Sequence, residues 1–231
     1  MTTHSKTLSP KLNEFEQFAY IVSHDLKSPL RNIGSYAQLL KRRYEHSLDA
    51  DANVFLDYIV KNAEVMTDFL TDMLELSAIA QDTDRQVTDL NHIVEKIRLD
   101  LQSTISENDA EIEVGELPTL TVYANVQQLL HNLVDNSLKY RNGQSPRIKI
   151  NAQPIDNQGV WQISVADNGV GLDEMYHEKV FHPFQRIDHR DRPGSGMGLA
   201  ICRKVVHLHG GHIWYNKNTE GGTTFHFTIP Q

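Results

Sequence analysis

Two sustained runs of apolar residues in 3,4 alternation constrain this chain more than anything else in it. In the first, Leu12, Phe15, Ala19, Val22, Leu26, Pro29, Ile33, Tyr36 and Leu40 recur on one helical face, with heptad a-positions at 12, 19, 26, 33 and 40. After the polar stretch EHSLDADAN a second run follows: Phe55, Tyr58, Asn62, Val65, Phe69, Met73 and Leu76. An apolar period of about 3.5 residues belongs to helices that pack along a narrow seam. Two such helices joined by a short polar turn predict an antiparallel hairpin. One hairpin leaves apolar stripes open, and pairing with a second copy into a four-helix bundle covers them. Docking onto the rest of its own chain is the alternative cover.

Beyond AQDTDRQ the texture changes. A short strand and then a helix are predicted over Val87–Ile105, with short strands at Glu111–Val114 and Thr119–Tyr123. Helix follows at Val126–Tyr140, strands at Pro146–Ala152 and Val160–Ala166, helix at Met197–His209, and closing strands at Ile213–Tyr215 and Thr223–Ile229. Strands and helices mixed with Gly, Asn and Asp turns predict a layered α/β sandwich. The expected organisation is a helical dimerisation region, residues 8–82, then an α/β domain, residues 85–231, with a hinge near Ala80–Gln86.

Bulk properties remove several functions. The net charge of −8 is spread along the chain, which disfavours nucleic acid as partner because phosphate backbones demand a concentrated basic face. A single cysteine, Cys202, excludes an intrachain disulfide and suits a reducing compartment. No apolar run approaches the ~20 residues of a membrane span, so a cytoplasmic protein or a cytoplasmic piece of one is expected. The twelve histidines form no array with cysteines that would hold zinc. His182, His207, His209, His212 and His226 read as structural or surface residues, and Cys202 as a small buried packing residue.

With Ala19 at a, His24 falls at f, facing away from the seam. An exposed histidine alone is ordinary surface; its neighbours give it a further meaning. A neutral imidazole is a competent nucleophile near neutral pH. Asp25 can hold one ring N–H and leave the other nitrogen's lone pair outward. Pro29 lacks an N–H, so the Asp25 carbonyl loses its helical partner and the helix can bend just beyond the histidine. Ser28 lies one turn on, on the same face.

FAYIVSHDLKSPLRNIGSYAQLL resembles the phosphoacceptor box of sensor histidine kinases of two-component systems. The resemblance implies that His24 receives the γ-phosphoryl of ATP, that Asp25 is its base, and that the phosphoryl passes to an aspartate of a response regulator receiver domain. In that family the residue four after the histidine serves a phosphatase activity when it is Thr or Asn; here it is Ser28.

A kinase of this type needs a nucleotide site, and three motifs can supply it. In LLHNLVDNSLKYRNG, Asn132 and Asn136 stand i,i+4 on one helix face. They read equally as polar surface or as hard oxygen ligands suited to Mg2+. VADNGVGLD ends a strand in Asp167 beside Gly169 and Gly171, where a carboxylate can accept from the adenine amino group. PGSGMGLAIC runs Gly194, Gly196 and Gly198 into a helix start, where backbone N–H groups and the helix dipole favour phosphate.

In this order the three resemble the N, G1 and G2 boxes of the kinase catalytic domain, whose ATPase fold is shared with gyrase and heat-shock chaperones, and VFHPFQRID resembles the F box. The resemblance spans Leu8 to Gln231. It implies that Asn136 coordinates Mg2+ and Asn132 supports metal or phosphate. Lys139 would contact phosphate and Tyr140 the nucleoside. Asp167 would read adenine, walled by Gly169 and Gly171. Arg186, following Phe181 and Phe184, would sit near the γ-phosphate, and Gly194, Gly196 and Gly198 would hinge over it a lid formed by Gln185–Pro193. GSYAQLLKRRY and FLDYIV are further similar to kinases attached to phytochrome-like or PAS sensors.

The expected activity is therefore that of a homodimeric ATP:protein histidine kinase core. Its rivals are a dimeric ATP-driven clamp or scaffold without phosphotransfer, and a core acting mainly as a response-regulator phosphatase. The ten or so residues before the first helix are too few for a sensor, so input is expected from an upstream sensor domain or a separate sensory protein.

Overall fold

The computed structural model describes residues 10–79, 84–155, 159–185, 187 and 195–231; among the side chains outside it are those of His24 and of most residues before it. The chain divides into two compact units, one ending at Ala78 and the other beginning at Ile79.

The first unit is a hairpin of α1 (Pro10–Tyr44) and α2 (Ala50–Ala78). Helix α1 runs through Pro29 without interruption. Lys41, Arg42 and Arg43 occupy its last turn, where cations suit the negative end of the helix dipole. The turn is shorter than the polar stretch suggests. Ser47 and Leu48 both donate to the Tyr44 carbonyl, and the Asp49 carboxylate caps α2 by accepting from Ala52 N at 2.7 Å. That cap starts α2 inside the polar stretch, five residues before Phe55.

The helices meet along a seam displaced by one position from the predicted stripe of each. Leu30, Ala37, Ala63 and Leu70 are buried. A Cβ on Gly34 would stand 3.4 Å from that of Ala63, so the two backbones approach closely. The predicted a and d residues are not in this seam: Leu26, Ile33, Tyr36 and Leu40 are 44, 51, 68 and 49% exposed, and Phe55 and Tyr58 on α2 are exposed as well. The heptad periodicity is real, but its stripe faces outward from the single hairpin.

The second unit opens with β1 (Arg85–Asp89), so the expected hinge ends earlier than Gln86: Arg85 and Gln86 already belong to a strand, and residues 80–83 lie outside the described set. Asp89 caps α3 (Leu90–Asp100) through Asn91 N, and a further short helix, α4 (Gln102–Glu107), follows where a single helix was predicted. The remaining elements are β2 (Glu111–Val114), β3 (Thr119–Tyr123), α5 (Val126–Lys139), β4 (Arg147–Pro154), β5 (Val160–Asp167), α6 (Gly198–Leu208), β6 (Ile213–Lys217) and β7 (Thr223–Pro230).

Five strands form one sheet in the order β2-β4-β5-β7-β6, with β2 parallel to β4 and every other pairing antiparallel; β1 and β3 make a separate antiparallel ribbon. Strand alternation sends Ile148, Ile150, Ile163, Val165, Phe225 and Phe227 to one face, all buried. Helix α5 packs on β5, and α6 on β6 and β7. Polar residues such as Lys149, Gln162 and His226 take the other face. This is the expected sandwich, one helical layer on one sheet.

Candidate nucleotide site

The site grows from the end of β5. Asp167 Oδ1 accepts two backbone N–H groups, from Gly169 at 2.8 Å and Thr223 at 3.1 Å. Among the described residues Oδ2 has no partner, which leaves it to accept from a ligand's amino group. Burial pushes the Asp167 carboxyl above the ordinary carboxylate range, and the bonds from Thr223 and Gly169 pull it partly back.

The glycines beside it are there because no side chain fits. A Cβ on Gly169 would lie 2.5 Å from the Tyr140 carbonyl oxygen, and one on Gly171, at φ +72°, 2.4 Å from that of Gly221. The sequence pattern missed what supports this strand end. Asn218 Nδ2 donates to the Asp167 carbonyl at 2.7 Å, and buried Asn168 bridges to Ser145 O and Arg147 N while its own carbonyl accepts from Asn142. Two signals were available: the EGG turn before β7 and the asparagine of KYRNG.

Helix α5 supplies the second wall. The Cβ position of Gly198, first residue of α6, stands 3.8 Å from Asn132 Cγ and 3.8 Å from Asn136 Nδ2. The two carboxamides share one face of α5, as their i,i+4 spacing predicted, and the fold brings that face to the glycine-rich helix start. Asn132 Nδ2 also donates to Gly198 O at 3.4 Å, so it ties α5 to α6. Lys139 is engaged by Asp135 at 2.5 Å, an i,i+4 ion pair on the half-exposed edge of the site. Tyr140 ends α5; its carbonyl accepts from Val170 at 3.0 Å, linking the helix end to the Asp167 loop.

Gly196 has φ +76° and its carbonyl accepts from Phe184, itself at φ +66°. Phe181 is buried against Phe225 and Tyr215, whereas Phe184 is exposed. Arg186 and Gly194, and most of the expected lid, lie outside the described residues.

In the hairpin unit, His24 lies within the unbroken α1 and its side chain is outside the described set; Asp25 and Ser28 are exposed. Among the described residues no cluster of His, Cys, Asp or Glu could hold a metal ion, and no helix is long and apolar enough to cross a membrane. Cys202 is fully buried, and burial pushes its thiol far above the usual range. His182, His207 and His212 are exposed; His209 and His226 are held by hydrogen bonds within the fold.

A helical hairpin followed by this sheet and glycine-framed cleft defines a known class. Residues 16–82 match the family model of the His Kinase A (phospho-acceptor) domain. Residues 121–231 match that of the histidine kinase-, DNA gyrase B- and HSP90-like ATPase. The chain belongs to the sensor histidine kinases.

Among its relatives, the phytochrome-like protein Cph1 of Synechocystis is 39% identical over 220 residues, which cover 94% of this chain and 29% of that protein. The chain thus spans about three tenths of that relative's length. The catalytic domain of histidine kinase ThkA superimposes with a TM-score of 0.54 at 30% identity, over 64% of this chain and 96% of that one. Full-length ShkA, solved with AMPPNP, shares the fold with a TM-score of 0.68 at 22% identity, over 93% of this chain and 46% of its own.

Proposed function

We propose that the chain is the core of an ATP:protein histidine kinase that phosphorylates its own His24 and passes the phosphoryl group to an aspartate of a response regulator receiver domain. The observation that carries this reading is the convergence of Asn132 and Asn136 on Gly198, in the unit where Asp167 is fixed between Gly169 and Thr223. The residues divide as 8–82 for dimerisation and phosphotransfer and 85–231 for nucleotide binding.

Asp167 Oδ2 accepts from the adenine amino group, and losing such a buried partner costs about 1–3 kcal/mol. Tyr140 lies against the nucleoside. Lys139 exchanges Asp135 for phosphate, and Arg186 stands near the γ-phosphate. Gly194, Gly196 and Gly198 hinge the lid and present N–H groups to the phosphates. A lone His24 ring nitrogen attacks the γ-phosphorus, the bond to the bridging oxygen breaks, and ADP leaves with that electron pair. Asp25 holds the ring's other proton. Such chemistry demands positioning and charge neutralisation rather than covalent help from the protein.

The donor chemistry fits Mg2+, because a carboxamide oxygen is a hard ligand that shares a metal shell with phosphates. Asn136 would hold the ion, with Asn132 in support, and the ion would neutralise triphosphate charge. The outward apolar stripes of α1 and α2 support a homodimer with a four-helix bundle at its centre. The likeness to Cph1 supports input from a sensor domain, and the absence of any membrane-spanning helix among the described residues suits a cytoplasmic site of action.

The test is incubation with Mg-ATP carrying a labelled γ-phosphate, followed by acid and alkali treatment. The expected product is acid-labile, alkali-stable and absent in His24→Gln. Full labelling of that variant refutes the assignment of the nucleophile; ATP turnover without phosphoprotein would mark a clamp instead.

A further inference from the structure

Cys202 is fully buried in α6, one turn after Gly198 at the helix start. Its sulfur stands 3.7 Å from the Leu129 carbonyl of α5. A carbonyl only accepts, so the thiol proton points at Leu129 and the sulfur lone pairs can accept in turn. The Asn132 side chain hydrogen-bonds that sulfur, and its Nδ2 also donates to Gly198 O at 3.4 Å. Leu129, Asn132 and Asn136 follow one another along a single face of α5.

These contacts give a direction to a group whose two ends have nearly the same shape. A carboxamide carries two N–H donors at one end and an oxygen at the other. Gly198 O and Cys202 Sγ, one helical turn apart, take the two N–H groups of Asn132. Oδ1 is thereby the end turned to a ligand. It is an acceptor, which suits a cation and cannot donate to a phosphate oxygen. Packing alone would ask only for a small apolar side chain at this position. A thiol that donates to one turn of α5 and accepts from the next does more than fill space.

We propose that Cys202 is a positioning residue of the nucleotide site: its sulfur, held by the Leu129 carbonyl, fixes the Asn132 carboxamide with Oδ1 presented to the ligand. A hydrogen bond behind a ligand group orients it before the ligand arrives, so less ordering remains to be done on binding. Because the oriented atom is a hard oxygen, the benefit belongs to the metal-bound nucleotide rather than to the free one.

The proposal rests on the nucleotide reading for its binding arm; its other arm is read in the protein without ligand. The whole chain is compared with Cys202→Ser, Cys202→Ala and Cys202→Val. The serine variant keeps a donor and an acceptor, the valine variant fills the space with neither, and the alanine variant lacks both. Calorimetry measures affinity for ATP with excess Mg2+ and for ATP with EDTA. NMR follows the side-chain NH2 signals of Asn132 in the ligand-free chain. Expected for Cys202→Ala and Cys202→Val is a roughly tenfold loss of Mg-ATP affinity, with ATP in EDTA bound as by the unaltered chain. In both, the Asn132 NH2 signals shift and exchange faster with water. Cys202→Ser restores the Mg-ATP affinity and the slow exchange.

Equal losses with Mg2+ and with EDTA would mean damaged packing and overturn the proposal. Full Mg-ATP affinity in Cys202→Val overturns it too, as does a loss in Cys202→Ser as large as that in Cys202→Val. Unchanged Asn132 signals in Cys202→Ala and Cys202→Val overturn it whatever the affinities. Should Cys202→Val fail to fold, the alanine variant decides. If no form binds ATP under either condition, the nucleotide reading falls, while the Asn132 signals still judge the role of Cys202.

Discussion

The Asn218 side chain donates to the main-chain oxygen of Asp167 across 2.7 Å, from fifty-one residues further along the chain. With Thr223 N on the Asp167 carboxylate, it makes the turn before β7 the outer support of the group proposed to read adenine.

Gly222 sits inside that support. A Cβ there would lie 2.1 Å from the Asp167 carbonyl oxygen and 2.7 Å from its Oδ1, both rigidly held atoms. Gly222→Ala should therefore displace the strand end, destabilising the fold by about 1–3 kcal/mol and weakening ATP roughly tenfold or more. Thermal denaturation and calorimetry measure both. Gly34→Ala is the contrast: its Cβ meets Ala63 at an ordinary 3.4 Å, and exchanging a mid-helix glycine gains up to ~1 kcal/mol, so stability should hold or rise.

Asp167→Asn should separate binding from stability. Burial raises the folded-state pKa of this carboxyl above its unfolded value, so the folded state binds the proton more tightly. The charged form then opposes folding, and stability contributed by this group falls as pH rises through the window from the unfolded value towards the raised one. Removing the charge should leave the ligand-free fold as stable or more so at pH 7, flatten that acid segment of the stability curve, and impair ATP binding. A melting temperature well below that of the parent, measured without ligand, would contradict the electrostatic account.

Cys202 is enclosed by α5 and α6, with its sulfur 3.7 Å from the Leu129 carbonyl and its ionisation suppressed by burial. Thiol reagents require the thiolate. The native protein should resist alkylation at pH 8, and the unfolded chain should react at once. Rapid labelling of the folded protein, read by mass spectrometry, would mean that this core opens.

Ile33 lies on the outward stripe of α1 at half exposure. If that stripe is the partner seam of a four-helix bundle, Ile33→Asp places a charge in a desolvated interface and should shift the protein to monomers at micromolar concentration. Sedimentation velocity reports the change; an unaltered dimer would show that the contact lies elsewhere.

The sequence by itself determined whatever depends on near neighbours. Helix periodicity placed α1 and α2, alternation placed the strands, and i,i+4 spacing put Asn132 and Asn136 on one face of α5. Each follows from the local repeat of the backbone, which the side chains report directly. Tertiary structure alone decided that the hairpin closes along Leu30 and Ala37 while the a and d residues turn outward, because either stripe is apolar enough to serve as a seam. It alone separated the β1–β3 ribbon from the main sheet and set β2 parallel to β4, since strand order is written in backbone hydrogen bonds that no side chain announces. Asn218, Gly222 and Cys202 acquired their roles in the same way: each meets its partner only after the chain has returned over fifty or more residues, and the contact is made to main-chain atoms that every residue possesses.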